Sequence, residues 1–409
     1  MNIKKSFRII FYFLSFIILR ILLPCSAFAD HFTILPYEIK DMIFDYLPKR
    51  SIVSMRGVNK ISCKDVEAYL LRRRDFLSLR TTSRVILGFS NPDLVKKIER
   101  IDCQECRLKS NSFFYFLNWI NPKITENSFS RLQNFSNLSS LNIDTHLSPN
   151  DMESMAEALP HLSQLHVLSL KRAFPPYKHE WKTTESYSHT KSVMAVAENL
   201  PFLPRLESLE VVNYEIGSKG VSILAIHLND VSDLKILTLD FVMLKDLGAI
   251  NLAHNLYHVP CLEELSLRYN WFSNEGLREI AKNLKYVHSL KKLNLTGNTN
   301  LQNGLVDLAN CFSSLPQLRE LMLGDMHVSW ASILMMCRNL PELISLETLG
   351  FSMDAPNYRE VGYYLYPAER TLIQNQIEAL GMNVEIVEAP VSPIHHSAMY
   401  LTAFYGLPL

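Results

Sequence analysis

Apolar residues recur along this chain in two alternating rhythms. Leu262, Leu265 and Leu267 come first, closed by a polar Asn270. Leu277, Ile280, Ala281 and Leu284 follow at helical spacing, and the first rhythm restarts at Leu290, Leu293, Leu295 and Asn298, 28 residues on. Alternate residues of a strand point to opposite faces, so Leu265 and Leu267 point inward together and Ser266 outward. Residues three and four apart share one face of a helix. The pattern predicts a short strand, a helix, and then the same unit again. One such unit cannot bury its own apolar face, whereas a stack of them buries a continuous core.

Strand phrases of this kind begin at Leu138, Leu165, Leu206, Leu234, Leu262, Leu290, Leu318 and Leu346, and from Leu206 onward every gap is 28. Nine residues before the phrases stands a small residue: Ala156, Ala197, Ala225, Ala253, Ala281, Ala309 and Cys337. Small side chains suit a place where helix and sheet approach closely. Phe129, at the matching place before Leu138, breaks the rule, as terminal repeats do. Leu-x-x-Leu-x-Leu-x-x-Asn at this period resembles leucine-rich repeats of the longer, ribonuclease-inhibitor-like type. The fold class this implies is α/β: a right-handed leucine-rich-repeat solenoid, or horseshoe, with a parallel concave sheet and convex helices. A ninth unit is expected upstream at Ile98-x-x-Ile101-x-Cys103-x-x-Cys106, with Phe113 to Ile120 as its helix. The long gap between Leu165 and Leu206 holds Pro175 and Pro176 and reads as a loop.

Net charge is zero and the pI is about 7.2, so nothing global points to nucleic acid or an anionic surface. Arg72-Arg73-Arg74 reads as a solvated helix face. Of the seven cysteines, Cys25 lies in the leader. Cys103, Cys106 and Cys337 fall in inward slots with Cys261 and Cys311 beside them, and buried free thiols are expected. Cys103 and Cys106 have no second pair at zinc-ligand spacing. No phosphate loop, His-Glu-x-x-His or Gly-x-Ser-x-Gly phrase is present, and no enzymatic activity, metal or cofactor is expected. The last residues after the repeats contain no cysteine, unlike bacterial repeat proteins that end in a cysteine-dependent ubiquitin ligase.

Residues 1–29 carry Lys4, Lys5 and Arg8, an apolar run from Ile9 to Leu23 and an Ala27-Phe28-Ala29 exit. These are the parts of a secretory signal peptide, and the mature chain is expected to begin at Asp30 with no stable membrane span. Asn134, Asn137 and Asn294 stand in glycosylation-acceptor phrases. Residues 30–80 form a separate helical segment. Leu35-Pro36-x-Glu38-Ile39, then Ile43-Phe44-x-Tyr46-Leu47, then Arg56-x-Val58-Asn59-Lys60 resembles an F-box, without the tryptophans usual after it. The resemblance implies docking on the Skp-type adaptor of cullin ubiquitin ligases through Leu35, Pro36, Ile39, Ile43, Leu47 and Val58. On the residues alone, the same apolar patch could instead pack on the first repeat as a cap. Cullin ligases are cytosolic whereas the leader directs export. A secreted bacterial effector delivered to a host cytoplasm satisfies both.

The expected organisation is a signal peptide (1–29), an F-box-like domain (30–80), about eight to nine repeats (90–355), a C-terminal cap (356–390) and a tail (391–409). In the cap, Ala368 to Leu380 reads as a helix stopped at Gly381, and Val384 to Val387 as a last strand. An unknown target protein is expected on the concave face, where Asp240, Phe241, Glu264, Arg268, Tyr269, Trp271, Lys292 and Glu320 are the candidate contacts. Arg268, Tyr269 and Trp271 are of the types that most often anchor interfaces. The functional expectation is a protein-interaction adaptor, an F-box-like substrate receptor for a cullin-type ubiquitin ligase. The alternative is a secreted recognition protein with no ubiquitin role.

Overall fold

The structure is a computed structural model that describes residues 68–69, 78–81, 92–104, 129–144, 147, 149–172, 191, 193–298, 301–324, 330–351 and 367–388. The leader, the F-box-like residues Leu35 to Lys60, the helix expected at Phe113 to Ile120, the Pro175-Pro176 loop and the tail lie outside these residues. The chain divides into two compact units, residues 1–138 and 139–409.

In the first unit, β1 (Ser78–Thr81) pairs in parallel with β2 (Arg100–Gln104), Leu79 opposite Ile101. The helix Pro92–Lys97 lies between them in sequence. β2 is the strand expected at Ile98. β1 was not expected, since it lies at the end of the segment read as helical. Val95, Ile98, Ile101, Phe129, Leu132, Phe135 and Leu138 are buried. Phe129, which breaks the alanine rule, is buried as fully as the alanines it replaces.

The second unit is a leucine-rich-repeat solenoid. Its strands are β3 (Ser140–Asp144), β4 (Val167–Lys171), β5 (Ser208–Val212), β6 (Ile236–Asp240), β7 (Glu264–Ser266), β8 (Lys292–Asn294), β9 (Glu320–Met322), β10 (Thr348–Phe351) and β11 (Glu385–Glu388). All pair in parallel, in chain order. Register follows the sequence period: Leu237, Leu265, Leu293 and Leu321 stand opposite one another. Parallel strands need a crossover, and helices supply it here. Examples are Gly217–Ile226, Lys245–Asn255, Asn274–Asn283 and Gln302–Ala309, in chain order. A 3-10 turn such as Leu284–Tyr286 then returns the chain to the next strand.

The inward leucines are fully buried, and so is the column Ala156, Ala197, Ala225, Ala253, Ala281, Ala309 and Cys337. Full burial of one leucine is worth about 2 kcal/mol, so each repeat is held chiefly by its neighbours. Burial pushes the Cys337 thiol up to about 12. Cys311 is only half-buried and Cys261 is exposed, a departure from the buried-thiol expectation, because their places fall on the turns outside the core. In the cap, the helix Pro367–Ala379 ends as expected. Gly381 takes φ 74, and the N–H groups of Gly381 and Met382 return to the carbonyls of Glu378 and Ile377.

Two further columns hold successive repeats in step. The first is the asparagine that closes the strand phrase. Asn298 is wholly buried and accepts from the Asn270 N–H (2.9 Å) while donating to the carbonyls of Leu267 and Leu295 (both 2.8 Å). Asn270 does the same one repeat earlier, accepting from the Val242 N–H and donating to the Leu239 carbonyl. These bonds satisfy backbone groups freed where each strand bends into its turn. The second column is Gly220, Gly248, Gly276 and Gly304, on successive helices 28 residues apart. A Cβ on Gly276 would lie 2.9 Å from the Ala249 Cβ and 2.8 Å from Asp246 Oδ1, and one on Gly304 would lie 3.2 Å from the Asn274 Cα. At Gly248 and Gly304 the neighbouring helix approaches to backbone contact, and at Gly276 to the Cβ of Ala249. Asp246 exploits that approach: its carboxylate accepts from the N–H groups of Ser273 (2.7 Å) and Gly276 (3.0 Å) and from the Ser273 hydroxyl (2.9 Å). One helix thereby caps the start of the next.

Asn298→Ala is expected to lower the unfolding free energy by about 3 kcal/mol, because three buried backbone groups lose their partner. Gly276→Ala is expected to cost about 1–3 kcal/mol by forcing adjacent helices apart. Urea denaturation followed by circular dichroism checks both.

A candidate protein-binding face

The helix-free face of the sheet is built by the outward residues of each strand, so the register sets which side chains meet. Glu264, Lys292 and Glu320 are direct neighbours on β7, β8 and β9. The Lys292 ammonium sits 2.9 Å from the Glu264 carboxylate. That bond, assisted by Glu320, pushes the Lys292 pKa up. Between β4 and β5, Lys171 pairs with Glu210 at 2.9 Å, and the Ser169 hydroxyl donates to the same carboxylate at 2.5 Å. Candidate charged contacts are thus already engaged across strands.

Asp240 is 6% exposed, at the end of β6. Its Oδ1 accepts from the Ser266 hydroxyl (2.7 Å) and from the Arg268 N–H (2.9 Å), and the Arg268 guanidinium lies 3.9 Å from its other oxygen. Burial raises the Asp240 pKa, against the pull of these bonds. Asp240 therefore orients Arg268 and offers little surface of its own.

Beyond the strand ends the backbone turns left-handed. The residues one position past β5 and β6, and their equivalent after β7, are Asn213 (φ 63), Phe241 (φ 57) and Tyr269 (φ 52); Gly297 (φ 77) follows in the next repeat. The Phe241 and Tyr269 rings stack at 4.4 Å and 19°. On its other side Tyr269 presses on Gly297, where an added Cβ would overlap the ring. Tyr269 is 2% exposed, so it lies within this stack and does not project from the face. The Arg268 guanidinium stands 5.7 Å from the Tyr269 ring centroid. Trp271 (φ 59) and Phe241 are half-buried at the rim. The structure gathers Asp240, Phe241, Arg268, Tyr269 and Trp271 into one region at the ends of β6 and β7. Glu264, Lys292 and Glu320 lie apart from it, at the starts of their strands.

Sequence reading missed the left-handed bends and the inward Asp240 of this region, and the Lys171–Glu210 pair on β4 and β5. Phe, Tyr and Trp give no hint of positive φ, and Asn213 and Gly297 at the equivalent places were the available signals. Among the described residues no group of three or more His, Cys, Asp or Glu could hold a metal ion, and no helix is long and apolar enough to cross a membrane.

Parallel strands paired in chain order, with helices between them in sequence, are the architecture of a leucine-rich-repeat solenoid. Residues 258–281 match the family profile of the leucine-rich repeat, from the end of one unit through the helix of the next. Solved structures similar to the chain include the tropomodulin C-terminal domain of Caenorhabditis elegans, with 15% identity and a TM-score of 0.33, covering 38% of this chain and 92% of that one. Another is leiomodin-1 actin-binding site 2, with 15% identity and a TM-score of 0.32, covering 46% of this chain and 95% of that one. Comparison with curated proteins gives no match.

The raised pKa of Asp240 means that the folded chain holds its proton more tightly than the unfolded chain. Its contribution to stability is present below the ordinary carboxylate pKa and is lost as pH rises through the folded value. In Asp240→Asn this part of the pH dependence is expected to vanish, leaving a flatter stability profile above about pH 4, as read from urea midpoints across a pH series.

Proposed function

We propose that the chain is a non-enzymatic adaptor that joins a target protein to a ubiquitin ligase. The observation that carries the target-holding half is the open sheet face, whose outward side chains recur at strand spacing through successive repeats. Solenoids use such extended surfaces to bind macromolecules. The ligase-docking half rests on the F-box-like residues Leu35, Pro36, Ile39, Ile43, Leu47 and Val58, which would seat an apolar helical surface in a Skp-type adaptor. Joining two binding modules on one chain raises the effective concentration of the target at the ligase, and no chemistry is asked of the chain itself.

The leader Met1 to Ala29 favours a second reading, in which the chain is a secreted recognition solenoid and its N-terminal helices only cap the repeats. Under the adaptor reading the same leader exports the protein on its way to a host cytoplasm.

Pull-down with a purified Skp-type adaptor separates the two. The chain starting at Asp30 is expected to capture the adaptor, and Leu35→Ala/Pro36→Ala to reduce capture at least about tenfold. Absence of capture by the unmutated chain supports the secreted-recognition reading.

A further inference from the structure

Among the described residues, β11 (Glu385–Glu388) pairs with β10 on one side and with no strand on the other. In a parallel ladder, successive residues turn their N–H and C=O groups to alternate sides of the strand. The Glu385 N–H donates to the Glu347 carbonyl, so Glu385 and Val387 turn toward β10. Ile386 therefore turns its N–H and its carbonyl to the outer edge. Its side chain is buried, so the backbone is what Ile386 presents there. A row of unpaired backbone groups at a sheet edge is a template for another strand.

One side chain already occupies that edge. Arg370, in the first turn of the cap helix Pro367–Ala379, is exposed and donates from Nη2 to the Ile386 carbonyl at 3.1 Å. The guanidinium stands where the N–H of an added strand would stand. It is always charged and donates without accepting, so it satisfies the carbonyl and offers an incoming strand no acceptor in return. A strand that approaches must displace this charged donor or leave its own N–H unpaired. Glu385, exposed at the start of β11, adds a carboxylate to the same strand, and charged side chains are one means by which sheet edges are blunted.

We propose that Arg370 is an edge guard that keeps a second copy of this chain from adding to the sheet through β11. A second copy fits this edge because its outward groups are self-complementary about a two-fold axis. Ile386 of one copy would donate to and accept from Ile386 of the other, forming the hydrogen-bonded pair of an antiparallel ladder. In that register Glu385 of each copy stands opposite Val387 of the other. The Arg370 bond holds the carbonyl that this pairing needs. The cap also leaves Leu372 and Leu380 exposed, at 56% and 41%, so it carries apolar surface for a second copy to cover once the edge is freed. With the guard in place the sheet ends at β11. This goes beyond the adaptor reading and does not depend on it.

Sedimentation velocity of the full chain over a concentration series tests this. Arg370→Ala is expected to dimerise with a midpoint at least about tenfold lower in concentration than the unmutated chain. Arg370→Met keeps the aliphatic stem and removes only the donors, so it is expected to do the same and its result stands even where Arg370→Ala loosens the cap. Val387→Glu, added to either variant, sets like charges opposite one another where Glu385 and Val387 meet, and is expected to restore the monomer. Arg370 variants that stay as monomeric as the unmutated chain overturn the proposal, as does a dimer that Val387→Glu leaves intact. Equal dimerisation of the unmutated chain also overturns it, since the guanidinium then guards nothing.

Discussion

Parallel strand pairing at a fixed register is the constraint from which the second unit follows. It sets equivalent residues of adjacent repeats one strand spacing apart, about 4.8 Å. Any residue type that recurs in the sequence becomes a column in space, and neighbours within a column must tolerate one another at that distance. Leucines do so by packing. Alanines do so by letting helix and sheet approach. Asn270 and Asn298 do so by bonding to the backbone of the preceding repeat.

Charge obeys the same rule. At the entrance to the strands stand Glu207, Lys235, Glu263 and Lys291, alternating in sign, then Arg319 and Glu347. Lys235 pairs with Glu207 at 2.9 Å, Lys291 with Glu263 at 2.7 Å and Arg319 with Glu347 at 2.9 Å. Such exposed pairs add little stability individually. Like charges in one column would repel, and alternation avoids that cost at every step of this run except from Lys291 to Arg319. On the open face the same logic joins Glu264 to Lys292 and Lys171 to Glu210. A target that meets this face meets a surface whose charges are largely matched already. At the rim beyond β6 and β7 the match continues, with Arg268 held against the inward Asp240.

The period carried much of this in one dimension. The order of strand and helix, the buried leucines and alanines, the β2 strand at Ile98 and the Gly381 stop could all be read from spacing. The glycine column at 220, 248, 276 and 304 also recurs at 28, but glycine has no side chain to mark a buried face, so spacing alone does not say what it is for. The first unit was read less well. β1 is four residues long, SLRT, and carries a single leucine, too little for an alternating pattern to register.

The sequence by itself determined that like positions would be stacked, since a 28-residue beat of apolar residues leaves no other way to bury them. It could not determine what a stacked position does. Tyr269 reads as an exposed anchor and is buried, because Phe241 and Gly297 close on it from two sides. Asp240 reads as a surface acid and is turned inward to hold Ser266 and Arg268. Those outcomes depend on backbone dihedrals and on neighbours 28 residues away, and only the assembled tertiary structure brings them together.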